Sequence, residues 1–224
     1  MSEEIEKNIL KTGTTTLGIV CKEGIVLAGD KRASYGGDGG VSLVAGKNAQ
    51  KVVPINDKIV VTTAGVVSDI QLLIKLIRAE LRLKEIKTKE ENTISEAANL
   101  LASIVYQNIR KFSPFLGVAH FLLGGRDSSG AHLYEVGADG SITKIDTYVA
   151  TGSGTVIVYG LLESEYKKHM SIEDGVKLAV KSVNSAMRRD PGTGEGIDVY
   201  TITPTEIKHV LEQEIEISFV DKKK

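Results

Sequence analysis

The stretch LKTGTTTLGIVCKEG sets three consecutive threonines, Thr14, Thr15 and Thr16, directly after Gly13 and behind a short leader rich in charge. A threonine hydroxyl is a poor nucleophile until a base takes its proton. A chain cut between Gly13 and Thr14 would carry nucleophile and base on one residue. The new α-amino group has a reference pKa of about 7.7–8.0, whereas a lysine sits near 10.4, and a general base works best when it titrates near the working pH. Gly13 favours such a cut, because without a Cβ it can take the cramped backbone that lets the Thr14 hydroxyl reach its own preceding carbonyl. A Gly-Thr pair alone says little, since threonine-rich runs are common in strands.

Other residues have types that would complete such a site. Asp30 ends a strand in LAGDKRAS, where an acid before Lys31 and Arg32 is otherwise a solvated turn. Lys51 leads into a strand in NAQKVVPIND and would otherwise be a surface lysine. Gly65 closes the strand VTTAG just before a helix, where a backbone N–H can face an oxyanion. Ser153 stands between two glycines in ATGSGTVIVYG, again before a helix. In RRDPGTGEGIDV, Asp190 falls at a helix end and Thr193 in the loop after it. Each feature is weak alone.

The elements that must position these residues follow from periodicity. TTTLGIVCK and GIVLAGD are short, apolar and β-branched, with Glu23-Gly24 as the turn between them. KIVVTTAG predicts a buried strand. The period then changes: Ile70, Leu73, Leu76, Ile77 and Leu81 recur at helical spacing behind Ser68 or Asp69 as N-cap. Thr93 and Glu96 have the spacing of a capping box and open a second helix that runs to about Arg110. AHFLLGGRD, AHLYEVG and SITKIDTYVATG predict strands separated by Ser-Gly and Asp-Gly turns. Two more helices, VIVYGLLESEYKKH and IEDGVKLAVKSVNSAMRR, precede the closing strands IDVYTIT and EIEISFV. Helices that arrive in consecutive pairs do not suit an alternating parallel sheet; they suit antiparallel sheets with helices on their outer faces.

Composition excludes several classes. The chain has 224 residues, enough for one large domain with a full core, and no repeat or linker divides it. A net charge of -1 gives no electrostatic footprint for nucleic acid. The lone Cys21 rules out an internal disulfide and a cysteine-rich metal site. The leader MSEEIEKNILK lacks the apolar core of a signal peptide, its acids argue against a mitochondrial presequence, and no apolar run approaches the roughly 20 residues of a membrane helix; the expected compartment is the cytoplasm. His120, His132, His169 and His209 lack ligand spacing, and GSGTVIVYG lacks the third glycine of a dinucleotide fingerprint. No metal and no cofactor are expected.

Taken together and in this order, TGTTTLGI, GIVLAGDKRA, TGSGTVIVYG and RRDPGTGEGIDV resemble the proteasome β subunit family, archaeal type, from Thr12 to about Val199. The resemblance implies an α+β fold, a four-layer αββα sandwich of two antiparallel sheets between helix pairs. It implies a threonine-type endopeptidase of the N-terminal nucleophile hydrolases. Residues 1–13 would be a propeptide removed by autocleavage and 14–224 one catalytic domain. The family nucleophile falls on Thr14, the lysine beside it on Lys51, and the acid partner of that lysine on Asp30. The oxyanion N–H falls on Gly65, the supporting hydroxyl on Ser153, and the acid that orients it on Asp190. Thr193 stands where the family commonly has a serine, so a hydroxyl is retained. The loop SYGGDGGVSLVAGKNAQK is longer than the family pattern and makes Lys47 a rival of Lys51; the step KVVPIND favours Lys51. The pocket for the residue before the scissile bond falls on Ala33, Ala49, Val53, Thr63, Val67 and Gln71. None is charged, which predicts cleavage after Leu, Phe or Tyr above cleavage after Arg or Glu. Implied partners are further β subunits in a heptameric ring, an α-subunit ring, indirectly an ATPase unfoldase, and unfolded polypeptide substrates. A non-catalytic scaffolding subunit and a related bacterial-type protease are the competing readings.

Overall fold

The computed structural model describes residues 10–35, 43–113 and 116–214. Residues before 10, the middle of the glycine-dense loop and all but the first residue of EIEISFV, expected as the closing strand, lie outside the described residues. The strands are β1 (Leu10–Thr12), β2 (Thr15–Val20), β3 (Ile25–Asp30), β4 (Ala33–Tyr35), β5 (Leu43–Gly46), β6 (Val52–Pro54) and β7 (Ile59–Val66). Helices α1 (Val67–Thr88) and α2 (Ile94–Arg110) follow. Next come β8 (Ala119–Asp127), β9 (Gly130–Val136), β10 (Ile142–Ile145) and β11 (Tyr148–Gly152). Helices α3 (Thr155–Glu165) and α4 (Ile172–Met187) precede β12 (Gly196–Ile202) and β13 (Ile207–Glu214).

Two antiparallel sheets result. One runs β10-β9-β8-β7-β1-β4-β5, with β6 also paired to β7; the other runs β11-β2-β3-β12-β13. Strand alternation sorts the side chains into three apolar layers. Ile59 and Val61 of β7 point to α1 and α2 and pack with Ile70, Leu73, Ile77, Leu101, Val105 and Phe121. Leu17 and Ile19 of β2 point the other way, against Val158 and Leu162 of α3 and Leu178 and Val183 of α4. Between the sheets lie Ile25, Leu27, Val52, Val60, Leu122, Leu133 and Ile202. The architecture is the expected αββα sandwich, with each fully buried large side chain worth about 1.5–3 kcal/mol of apolar transfer.

Local signals explain most boundaries. Thr93 and Glu96 form the capping box: the Glu96 N–H donates to the Thr93 hydroxyl, and the Thr93 N–H to the Glu96 carboxylate. The start of α1 differs from expectation. It begins at Val67 with Val66 as N-cap and no side-chain cap, because β7 runs straight into the helix and the turn is made at Gly65, φ 130°. Asp69 falls in the first turn instead, where an acid suits the helix dipole, and it accepts a hydrogen bond from Asn108 of α2. Leu76 is 40% exposed and does not join the core stripe. The stretch SITKIDTYVATG does not form one strand; it crosses between the sheets, giving β10 at the edge of the larger and β11 at the edge of the smaller.

β1 is the arrangement that matters for chemistry. Lys11 and Thr12 pair with Val66 and Gly65 of β7, while Leu10 and Lys11 pair with Tyr35 and Ser34 of β4. β6 occupies the same edge of β7 further along, opposite Val60 to Thr62. Lys51, one residue before β6, therefore sits where β6 ends and the leader strand takes over that edge.

Candidate active site

Thr14 lies between β1 and β2 and is fully buried. Its peptide N–H donates to the Ser153 hydroxyl at 3.2 Å, and Ser153 donates to Asp190 at 2.6 Å. Thr193 donates to the same carboxylate oxygen of Asp190. The Thr193 oxygen is thereby left to accept from the Thr15 hydroxyl at 2.7 Å. Two hydroxyls thus converge on Asp190, one carrying Thr14 and the other Thr15.

On the other side, the Lys51 ammonium donates to the Gly13 carbonyl oxygen at 2.6 Å and to Asp30 Oδ1 at 2.7 Å. Asp30 also accepts the N–H groups of Thr15, Arg32 and Gly194 at 2.9, 3.1 and 2.9 Å. Both charged side chains are almost wholly removed from water, at 1% and 0% exposure. Such a pair survives burial only when its remaining donors and acceptors are satisfied, and here Asp30 has four donors. Burial pushes the Lys51 ammonium below its ordinary value, against the pull of Asp30. It pushes the Asp30 carboxyl up, against the pull of Lys51 and the backbone N–H groups. Lys47, the sequence rival, is exposed.

Glycines make the close approaches possible. A Cβ on Gly13 would stand 2.5 Å from Gly192 Cα, so Gly13 is required here by backbone packed on backbone and not by an unusual dihedral. Gly152, φ 97°, brings its backbone against Thr14, where a Cβ would stand 2.1 Å from the Thr14 carbonyl oxygen. Gly65, opposite Thr12 in the ladder, has φ 130° and would set a Cβ 2.2 Å from the Val118 carbonyl oxygen.

All six positions anticipated as a substrate pocket, Ala33, Ala49, Val53, Thr63, Val67 and Gln71, line one cavity of about 580 Å³ beside Lys51. The cavity is not free of charge, as the sequence led us to expect: Lys75 and Arg78 of α1 also line it. Residues 67, 71, 75 and 78 share a helical face, so the later turns of α1 join the same wall, a periodicity that was readable in the sequence.

Three contributors escaped sequence reasoning. Thr15 touches both Asp30 and Thr193. Arg32 clamps the loop after α4, donating to the Pro191 carbonyl and the Glu195 carboxylate. Gly192 makes room for Gly13. Glycine density in DPGTGEG was the available signal for the last. Away from this site, His209 meets Asp198 at 3.4 Å and stacks on Tyr200, a juxtaposition that sequence spacing hid. Asp198, His209 and Glu212 come within 4.8 Å of one another, and the buried Lys31 ammonium lies in the same cluster, 2.6 Å from Glu212. No helix among the described residues is long and apolar enough to cross a membrane.

A family model described as Proteasome subunit matches residues 10–202. The chain is 42% identical over 205 residues to the proteasome subunit beta of Ferroglobus placidus, covering 91% of this chain and 93% of that one. It is 41% identical over 212 residues to the proteasome subunit beta of Methanopyrus kandleri, covering 94% and 97%. It is 43% identical over 204 residues to proteasome subunit beta 2 of Pyrococcus furiosus, covering 91% and 94%. The family match takes in every strand and helix from β1 to β12, with Thr14, Asp30, Lys51, Gly65, Ser153, Asp190 and Thr193, and the chain therefore belongs to the proteasome subunit family.

Proposed function

We propose that this chain is the precursor of a catalytic β subunit, a threonine endopeptidase that hydrolyses peptide bonds of unfolded proteins after removing its own residues 1–13. The observation that carries this reading is the Gly13 carbonyl, gripped by Lys51 at 2.6 Å while the next N–H rests on Ser153. A cation on that oxygen polarises the carbonyl and stabilises the charge that develops there. Attack by Thr14 Oγ on the Gly13 carbonyl carbon forms a C–O bond and breaks the Gly13–Thr14 C–N bond. The hydroxyl proton passes to the departing nitrogen, and the leader is left as an ester on Thr14. Water then adds its hydroxyl to the acyl carbon and returns a proton to Oγ, which frees the leader and a Thr14 amine.

The same groups would serve turnover. The α-amine of Thr14 is the general base for its own hydroxyl, Lys51 lowers that amine's pKa by like-charge repulsion, and Asp30 holds Lys51. Ser153, Asp190 and Thr193 orient the amine, and the Gly65 N–H receives the oxyanion. A substrate strand takes the slot between β4 and β7 that β1 fills in the precursor, with the side chain before the scissile bond in the adjoining cavity. The buried state of Thr14 fits a zymogen that meets no substrate before processing. We assign the working form to a heptameric ring of β subunits stacked on an α-subunit ring in the cytoplasm, fed by an ATPase unfoldase and requiring no cofactor.

Intact mass of the chain co-expressed with its α partner tests the proposal. The assembled particle is expected to show a chain starting at Thr14, and Thr14→Ala is expected to keep residues 1–13. A particle that hydrolyses peptides while retaining Met1 overturns the mechanism.

A further inference from the structure

The cavity beside Lys51 has two ends of different character. Near the nucleophile its walls are small or apolar: Ala33, Val53 and Val67. Along α1 the stripe continues through Gln71 to Lys75 and Arg78. Side chains of a helix lean toward its N-terminus, and the N-terminus of α1 is the end next to Gly65 and Thr14. Lys75 and Arg78 form the far end of the cavity, beyond Gln71. Arg78 is anchored by one N–H on the Pro54 carbonyl of β6, which leaves the rest of its fork of five donors for a ligand. No carboxylate among the described residues forms an ion pair with Lys75 or Arg78, and no acidic side chain lines the cavity. Lys51, the third cation on its wall, is neutralised by Asp30.

We propose that Lys75 and Arg78 are specificity determinants that give this cavity a seat for an acidic side chain, so that peptides with Glu before the scissile bond are favoured over their uncharged Gln counterparts and basic side chains are excluded. The proposal rests on the peptidase reading above and refines the expectation, drawn from six uncharged positions, that Glu and Arg are rejected alike. Glu suits the site better than Asp, because its extra methylene spans more of the apolar section before the cations. Both cations are exposed, so water screens them and the preference is modest: exposed ion pairs correspond to a change of about two- to fivefold.

The test compares kcat/KM for fluorogenic peptides that differ only in Leu, Glu, Gln or Arg before the reporter, on the leader-cleaved particle carrying the natural chain, Lys75→Gln, Arg78→Gln or both. The expected Glu-to-Gln ratio is about threefold in the natural particle. It falls to about one in the double variant and in high salt. A Glu-to-Gln ratio of one in the natural particle, or a ratio the double variant leaves unchanged, overturns the proposal. Fluorescence anisotropy of labelled product peptides ending in Glu or Gln reads the cavity without turnover. If the Leu peptide is not cut at all, the peptidase reading fails, and the anisotropy ratio still decides for or against Lys75 and Arg78.

Discussion

Replacing Lys51 with methionine removes the ammonium and keeps most of the side-chain volume. The structure sets the cost. Asp30 is 0% exposed and would lose the counter-ion it has among the described residues, while keeping the N–H groups of Thr15, Arg32 and Gly194. Breaking a buried pair costs about 3–5 kcal/mol; with three donors retained, the low end applies, about 3 kcal/mol. At a urea slope of about 3 kcal/mol per molar, the unfolding midpoint drops by about 1 M. Lys51→Met combined with Asp30→Asn removes both charges and should recover most of that loss, which a double-mutant cycle on the isolated chain will measure. Processing behaves differently. The Gly13 carbonyl loses its donor in both variants, so neither should release the leader in the assembled particle. Asp30→Asn alone has a definite pH signature. It leaves Lys51 buried without its counter-ion and lowers an ammonium pKa that burial already depresses. The unfolded chain then binds the proton more tightly than the native one, so the stability of this variant rises with pH, from the depressed value up to the ordinary value near 10.4. Lys47→Ala is the control, with stability and processing unchanged. If the neutral pair processes its leader at the natural rate, Lys51 has no part in polarising Gly13. If Lys51→Met is no less stable than the neutral pair, the burial argument is wrong.

Three further outcomes follow from the geometry. Gly65→Ala forces a residue with a Cβ to φ 130° and against the Val118 carbonyl at 2.2 Å. It should destabilise by about 1–3 kcal/mol or more and stop leader release, while Gly46→Ala, whose Cβ would meet only Ala33 Cβ at 3.7 Å, should leave urea midpoint and leader mass unchanged. Thr93→Ala removes the cap of α2 and should cost about 1 kcal/mol, read from the urea midpoint, with no change in processing because the cap is remote from Thr14. On the mature particle, peptides with Leu or Phe before the reporter should be cut faster than those with Arg, since an apolar side chain gains about 1.5–3 kcal/mol on burial and a guanidinium meets Lys75 and Arg78; faster cleavage after Arg would show that the cavity is not the substrate pocket.

The parts of the fold that were legible in the sequence are those whose signal is local. The capping box at Thr93 and Glu96 fixed the start of α2, and the change from period two to helical spacing after β7 announced α1. What sequence could not supply is whatever depends on partners far along the chain. The N-cap of α1 was misplaced because Gly65 makes the turn through a contact with Val118, fifty-three residues further on. The stretch SITKIDTYVATG read as one strand because nothing local marks the passage from one sheet to the other. The site divides the same way. Asp30, Lys51, Ser153 and Asp190 stood out by position at strand and helix ends, yet the links that Thr15 and Arg32 make to Asp30, Thr193 and the loop after α4 exist only in three dimensions.

The segment before Thr14 is a structural element and not an appendage. β1 fills the gap between β4 and β7, and its pairing is what delivers Gly13 to Lys51 and Thr14 to Ser153. A peptide that occupies that gap as an extended strand satisfies the same ladder groups, which are indifferent to side chains because they are backbone. Under the proposed function, selectivity would then come from a side chain that enters the cavity, whose lining changes from Ala33, Val53 and Val67 to Lys75 and Arg78 along α1. Main-chain pairing would, under the same reading, set where the bond is held, and the cavity which residue precedes it. The two are separable by mutation, since Lys75 and Arg78 take no part in the ladder.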